Sequence, residues 1–283
     1  MTVVIATSGS AVLELETVDG TPPAVRVTVS GVASMTTFTL KRLCEGKTIT
    51  VPGWRAKQFI DTVVDMDWAA PTNRPVTYTL LVNGTVVASA TITLPSAYAW
   101  IQDPLQPDKC LPIKSGGPST GFLTMDGPAL KSLAYKGKVS TIDIVGSSDP
   151  IVFGGQVSSA SGINASLKSD DADTAAAFRT LVQGTPILLL RTTADMVPLP
   201  AIAYMQAQVI EQPVTVHWGG SLTAWSVTAD LVAAVLQAAI SGSVTYDQVQ
   251  QLLAGYTYDQ VQAKAAATTY LDWQKNPLIF STL

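Results

Sequence analysis

Residues 77–94 read TYTLLVNGTVVASATITL. Two runs rich in Thr, Val, Ile and Leu flank Asn83-Gly84. This dipeptide tolerates the positive φ angles that a two-residue type I′ turn demands. The spacing therefore predicts a β-hairpin, and with it a β-rich fold.

The same period-two pattern extends back towards the start. Residues 24–32 (AVRVTVSGV) alternate apolar side chains with Arg26, Thr28 and Ser30, as a half-buried strand does. Residues 12–16, 37–40, 48–51 and 63–68 add shorter strands, about seven in all at turn-separated intervals. That count predicts an antiparallel sandwich of immunoglobulin or fibronectin type, without its disulfide, over residues 1–97. Residues 95–120 are rich in Pro and Gly, and the domain boundary is expected at 96–100.

Strands resume at 139–145, 151–157, 163–168, 187–191, 204–210, 214–218 and 224–229. One helix interrupts them. Asp170 or Asp171 caps its start, Ala175, Phe178, Leu181 and Val182 form its apolar stripe, and Gly184 ends it ahead of Pro186. Residues 98–235 thus read as a second β domain carrying one helix.

From 236 to 283 the composition turns to Ala, Gln, Leu and Tyr, and a helical C-terminal extension is expected. The hexapeptide TYDQVQ stands at 245–250 and again at 257–262. Each copy has Thr and Gln at capping-box spacing, with Asp247 or Asp259 in the first turn, where the helix dipole favours negative charge. Helices this short are marginal alone in water. Tyr246, Val249, Tyr258, Val261 and Trp273 are therefore the expected contact residues, docking the arm on its own second domain or on a neighbour.

Composition limits the function. Of 283 residues 13% are charged and 47% apolar. The charged share is about half that of an ordinary soluble protein, which points to subunit contact or to a Ser/Thr-rich surface. A net charge of −4 with no Lys/Arg cluster argues against sequence-specific nucleic-acid binding. The longest helical apolar run, residues 231–240, falls far short of the roughly 20 residues of a bilayer span, so no membrane insertion is expected. The start lacks the basic and apolar regions of a signal peptide, so the chain reads as a soluble, intracellularly made protein. Cys44 and Cys110 fit neither a metal site nor a disulfide framework and are expected to be reduced.

No catalytic constellation emerges. His217 is the only histidine, which leaves no complete Ser-His-Asp triad within one chain; it reads as a surface strand residue. Asp65 and Asp67 share a strand face about 6–7 Å apart, a separation suited to glycoside hydrolysis, but a solvated sheet face explains them more simply. Asp170, Asp171 and Asp173 lack an EF-hand pattern and read as helix-capping residues. Gly154-Gly155 precedes no helix and reads as a bulge or tight turn. The tryptophans at 54, 68, 100, 218, 225 and 273 are scattered and read as core or interface anchors. The expectation is a protein without catalytic, metal or cofactor-binding residues.

The order of segments resembles a known family. DWAAPTNRPVTYTL (67–80), AWIQDPLQPDK (99–109), SSDPIVFGG (147–155), DADTAAAFRTLVQGTPILLLR (171–191) and the TYDQV words follow one another as in minor tail proteins of long-tailed bacteriophages infecting actinobacteria, a group similar to distal tail proteins. The resemblance implies a virion structural protein at the end of the tail tube. It also implies an immunoglobulin-like sandwich joined to a tail-tube-like β-sandwich or barrel. Such proteins form a homo-oligomeric ring, commonly a hexamer, with trimers near the tip, between the tail tube protein and other tail-tip components, around a DNA channel. The apolar, helix-like stretch 231–240 departs from that pattern. An adhesin module that binds carbohydrate on the host surface is the alternative reading, and a glycan hydrolase using Asp65 and Asp67 a third.

Overall fold

A computed structural model describes residues 1–59, 62–114, 121–125, 130–134, 137–142, 151–157, 161–193, 199–213 and 222–235. Among them the chain is mainly β with a single helix. The C-terminal words, with Tyr246, Val249, Tyr258, Val261 and Trp273, lie outside the described residues, as do His217 and the strand expected at 214–218.

The first half holds β1 (Val3–Ser8), β2 (Ala11–Val18), β3 (Ala24–Ser30), β4 (Thr37–Cys44), β5 (Lys47–Thr50), β6 (Lys57–Gln58), β7 (Val63–Asp67), β8 (Pro75–Val82) and β9 (Thr85–Thr93). They form two antiparallel sheets, ordered β1-β2-β3-β7 and β5-β4-β8-β9, with β6 paired to β4. Alternation decides which side chains go inside. Leu13 and Leu15 of β2, Val25, Val27 and Val29 of β3, Phe38 and Leu40 of β4, and Val76, Tyr78 and Leu80 of β8 share one core. Trp54 lies in it fully buried, edge-on to Phe38 at 5.8 Å. Outside the core, Arg26 faces its register partner Glu16 with Nη1–Oε2 at 2.5 Å.

The hairpin forms as its sequence predicts. Asn83 (φ 49°) and Gly84 (φ 83°) both take the left-handed region between β8 and β9. Gly31 meets a different demand: a Cβ there would lie 1.8 Å from the Ser10 carbonyl oxygen. Strand β1 was not anticipated. Val4 and Ala6 pack against the core while Val3 and Ile5 are exposed, so the run is apolar on both faces and no apolar-polar alternation marks it.

The second half contains β10 (Ala99–Gln102), β11 (Cys110–Lys114), β12 (Leu123–Thr124), β13 (Leu130–Ala134), β14 (Gly137–Ile142), β15 (Ile151–Val157), β16 (Ser161–Ser169), α1 (Ala172–Gly184), β17 (Leu188–Arg191), β18 (Ile202–Pro213) and β19 (Thr223–Leu231). Strand order β12-β11-β10-β17-β18-β19-β16 returns to β12 through Thr124↔Lys168, closing a seven-stranded barrel, with β13 paired to β16. Strands β14 and β15 make a separate two-stranded ladder. Its register shifts between Gly137 and Val139, which pair with Val157 and Gly154, so the Gly154-Gly155 bulge reading is met.

Barrel filling follows alternation too. Ile163, Ala165 and Leu167 of β16 and Trp225, Val227 and Ala229 of β19 turn inward. The helix supplies Ala175, Phe178 and Leu181 to the same core, with Phe178 edge-on to Trp225 at 5.0 Å. Asp171 is its N-cap: Oδ2 accepts from Thr174 N at 3.1 Å and from Thr174 Oγ1 at 2.5 Å. Arg179 clamps Glu211 of β18 through two hydrogen bonds, of 3.0 and 2.5 Å.

Strands β10 and β17 are buried at every position. Leu188 and Leu190 enter the barrel core, whereas Leu189 packs with Ala69 and Tyr204 in a smaller cluster. Burial on both faces makes β17 a wall shared by the barrel and the first two sheets.

Candidate functional site

The chemistry-bearing side chains gather where the sheets meet that wall. On β4 the alternation Phe38, Leu40, Arg42 carries an arginine into an inward position, 1% exposed. Its answer comes from the opposite sheet. Asp67, at the end of β7 and also 1% exposed, accepts from Arg42 Nη1 through both carboxylate oxygens, with Oδ1 at 2.5 Å. Tyr78 Oη donates to Oδ2 at 2.8 Å and Ala69 N to Oδ1 at 3.1 Å. A buried charge is tolerable only when paired and hydrogen-bonded, and here the pair ties one sheet to the other.

Burial pulls the Arg42 pKa down, but Asp67, with Tyr204 and Tyr78, outweighs it and holds the guanidinium above its ordinary value. Tyr78 is pushed well up, by burial first and then by the Asp67 carboxylate. Tyr204 is raised by burial against the opposing pull of Arg42.

A second buried guanidinium sits on β17. Arg191 donates from Nε to Ala70 O at 2.9 Å, and from Nη1 to Pro23 O at 2.8 Å, Trp68 O at 3.1 Å and Gln102 Oε1 at 3.4 Å. Burial pulls its pKa down to about 10, partly offset by Asp67, which leaves it a cation at neutral pH. Gln102 Nε2 also donates to Trp68 O, at 3.1 Å. At the rim, Arg74 pairs with Glu45 and donates to Thr193 O at 3.3 Å, and Thr72 Oγ1 donates to Thr192 O at 3.4 Å. Sheets and barrel are thus stitched mainly by side chains reaching main-chain carbonyls.

Two concavities open beside this junction. One, of about 640 Å³, has Arg42, Cys44, Ile49, Pro71, Ile202 and Tyr204 among its lining, and residues 231–234 form one wall. Burial, then Glu45, raises the Cys44 thiol pKa. The other, of about 610 Å³, gathers Tyr98, Trp100 and Phe122 with Asp19, Ser96 and Cys110. There Tyr98 and Phe122 lie 4.8 Å apart, Trp100 Nε1 donates to Ser96 Oγ at 2.9 Å, and burial pushes the Cys110 thiol up to about 12.

The carboxylates singled out from sequence separate in environment. Asp65 is half-buried and pairs with Lys57 at 3.1 Å. The solvated-face reading fails for Asp67, because β7 ends inside the core, where Arg42 and Tyr78 occupy its oxygens. Asp171 caps the helix, and its hydrogen bonds from Thr174 hold the carboxyl below the usual carboxylate range. Trp54, Trp100 and Trp225 are buried. Cys44 and Cys110 are both free. The strand expected at 37–40 runs on to Cys44, and its alternation, carried two residues past Leu40, is the sequence signal that marks Arg42 as inward.

Among the described residues no helix is long and apolar enough to cross a membrane. No protein-family model, curated protein or solved structure matches the chain.

Proposed function

We propose that this chain is a structural subunit of a bacteriophage tail, a minor or distal tail protein. It assembles as a ring of six copies, or three nearer the tip, in the virion. There it joins the tail tube protein to other tail-tip components, without catalysis, cofactors, sequence-specific nucleic-acid binding or membrane insertion. The observation that carries this reading is the set of large apolar side chains that two β surfaces turn outward. Edge strand β1, VVIATS, bears no charge or proline and exposes Val3 and Ile5. Natural edges exposed to water are ordinarily blunted by such residues, and edges satisfied by a neighbour are not. The β14–β15 ladder, which pairs with no further strand among the described residues, exposes Ile142 and Ile151, and two strands alone are marginal in water. The sheet order β2-β3-β7 against β5-β4-β8-β9 supports an immunoglobulin-like reading of the first sheets, and the closed barrel supports a tail-tube-like second domain.

Size-exclusion chromatography with light scattering, followed by negative-stain microscopy, tests it. Rings of defined order are expected, weakened by Ile5→Lys. A monomer throughout the micromolar to millimolar range overturns the reading.

One observation favours the second reading, a carbohydrate-binding adhesin module. The groove that holds Tyr98, Trp100 and Phe122 offers aromatic surface beside Asp19 and Ser96. Glycan-array binding that Tyr98→Ala abolishes would establish it, and an empty array would remove it.

A further inference from the structure

Strand β1 is the edge of its sheet, and its ladder shows which main-chain groups it leaves open. Thr17 N donates to Thr2 O at 2.9 Å, and the register runs unbroken from Val3↔Glu16 to Ser8↔Ala11. Bonded and non-bonded pairs alternate along an antiparallel ladder. Val4, Ala6 and Ser8 therefore bond to β2, while the N–H and C=O groups of Val3, Ile5 and Thr7 face away from it. Among the described residues none takes up any of these groups. The same three residues are exposed, Val3 at 46% and Ile5 at 59%. The strand thus offers a row of free donors and acceptors beside uncovered apolar surface.

The row is its own complement. Two β1 strands laid antiparallel about a two-fold axis at Ile5 pair Ile5 with Ile5 and Val3 with Thr7, and each such pair exchanges two hydrogen bonds. Every open group of both strands is then met. A shift of two residues leaves only Val3 and Ile5, or Ile5 and Thr7, paired within the strand, so one register is favoured. Charge allows it as well. Like charges directly opposite repel, and β1 carries none. The nearest carboxylates in line with the axis are Glu14 of each copy, which faces Ile5 across the β1–β2 ladder. Three strand spacings separate them, about 14 Å, more than a Debye length at ordinary salt. Across the axis the exposed Ile5 of one copy covers that of the other. We propose that β1 pairs with β1 of a second copy, so that two sheets ordered β1-β2-β3-β7 become one continuous antiparallel sheet. The pairing does not rest on the ring reading: it holds for a plain dimer and for pairs within or between rings.

Cross-linking tests it in full-length protein with Cys44→Ser and Cys110→Ser as background. Ile5→Cys then sets two thiols across the axis, with Cα atoms about 5.5 Å apart, a separation that a disulfide spans. Val86→Cys is the control, at a side chain 60% exposed on the other sheet. Under mild oxidation Ile5→Cys should form disulfide-linked dimers at least tenfold faster than Val86→Cys. Mixed Val3→Cys and Thr7→Cys chains should cross-link to each other faster than either does to itself. Ile5→Pro is the second variant. The N–H it removes is one that faces away from β2, so the β1–β2 ladder and the far-UV circular dichroism should survive. Association followed by sedimentation velocity should weaken at least tenfold. Ile5→Cys dimers no faster than those of Val86→Cys overturn the proposal, as does an Ile5→Pro chain that associates like wild type. Cross-linked pairs without rings uphold it and remove the ring reading; rings without an Ile5→Cys cross-link do the reverse.

Discussion

Asp67 holds two strands' worth of polar groups in one place, and its removal should be felt out of proportion to its size. Asp67→Ala leaves the Arg42 guanidinium and the Tyr78 hydroxyl buried without their acceptor. The expected loss is about 3–5 kcal/mol, the usual scale for breaking a buried pair from one side. Replacing both charges, as Arg42→Met with Asp67→Leu, should recover most of it. Urea unfolding of the three chains checks the ordering, and a double variant as weak as the single would contradict it. Asp171 gives a prediction in pH. Its carboxyl is held below its ordinary value of 3.8 in the folded protein, so the unfolded state binds the proton more readily. The stabilisation is therefore complete well above 3.8 and fades as the pH falls through the lower folded value. The gap in Tm between wild type and Asp171→Ala should be widest near neutrality and shrink in acid.

Among elements, the connections between strands separate two roles for glycine. Gly31 and Gly84 both have positive φ, but only Gly31 has a neighbouring backbone in the way. Gly84→Ala should cost about 1 kcal/mol, the strain of a left-handed residue with a Cβ. Gly31→Ala adds the clash with Ser10 and should cost about 2–5 kcal/mol. Equal losses in thermal denaturation would refute the distinction. The legible elements were those with a local signature: Asn-Gly between alternating runs, an Asp cap before Ala175, Phe178 and Leu181. Strand β1 escaped because Val3, Val4, Ile5 and Ala6 make it apolar on both faces, leaving no alternation to read. The sequence leaves sandwich and barrel both open for the second domain, because closure rests on β12, Leu123–Thr124, whose Thr124 pairing with Lys168 leaves no mark in nearby sequence. Within the candidate site, Asp67 was noticed for the wrong surroundings and Arg42 was missed. Their meeting depends on two strands from different sheets, a contact that periodicity does not reveal.

At the scale of the whole molecule, Arg191 fastens the shared wall β17 to the connections of the first sheets. Arg191→Met removes its donors to Ala70, Pro23 and Trp68 and should cost about 2–3 kcal/mol, the range for hydrogen bonds to a charged group. Calorimetry should then resolve two transitions for the variant against one for wild type, and a single unchanged transition in the variant would count against Arg191 as the tie. Those three acceptors are main-chain carbonyls, which every amino acid carries. The socket therefore asks for a backbone path and is indifferent to the side chains that follow it. A lineage could replace nearly every surface residue of the first sheets, or exchange them for another β unit with the same two connections, and the barrel would still accept the graft.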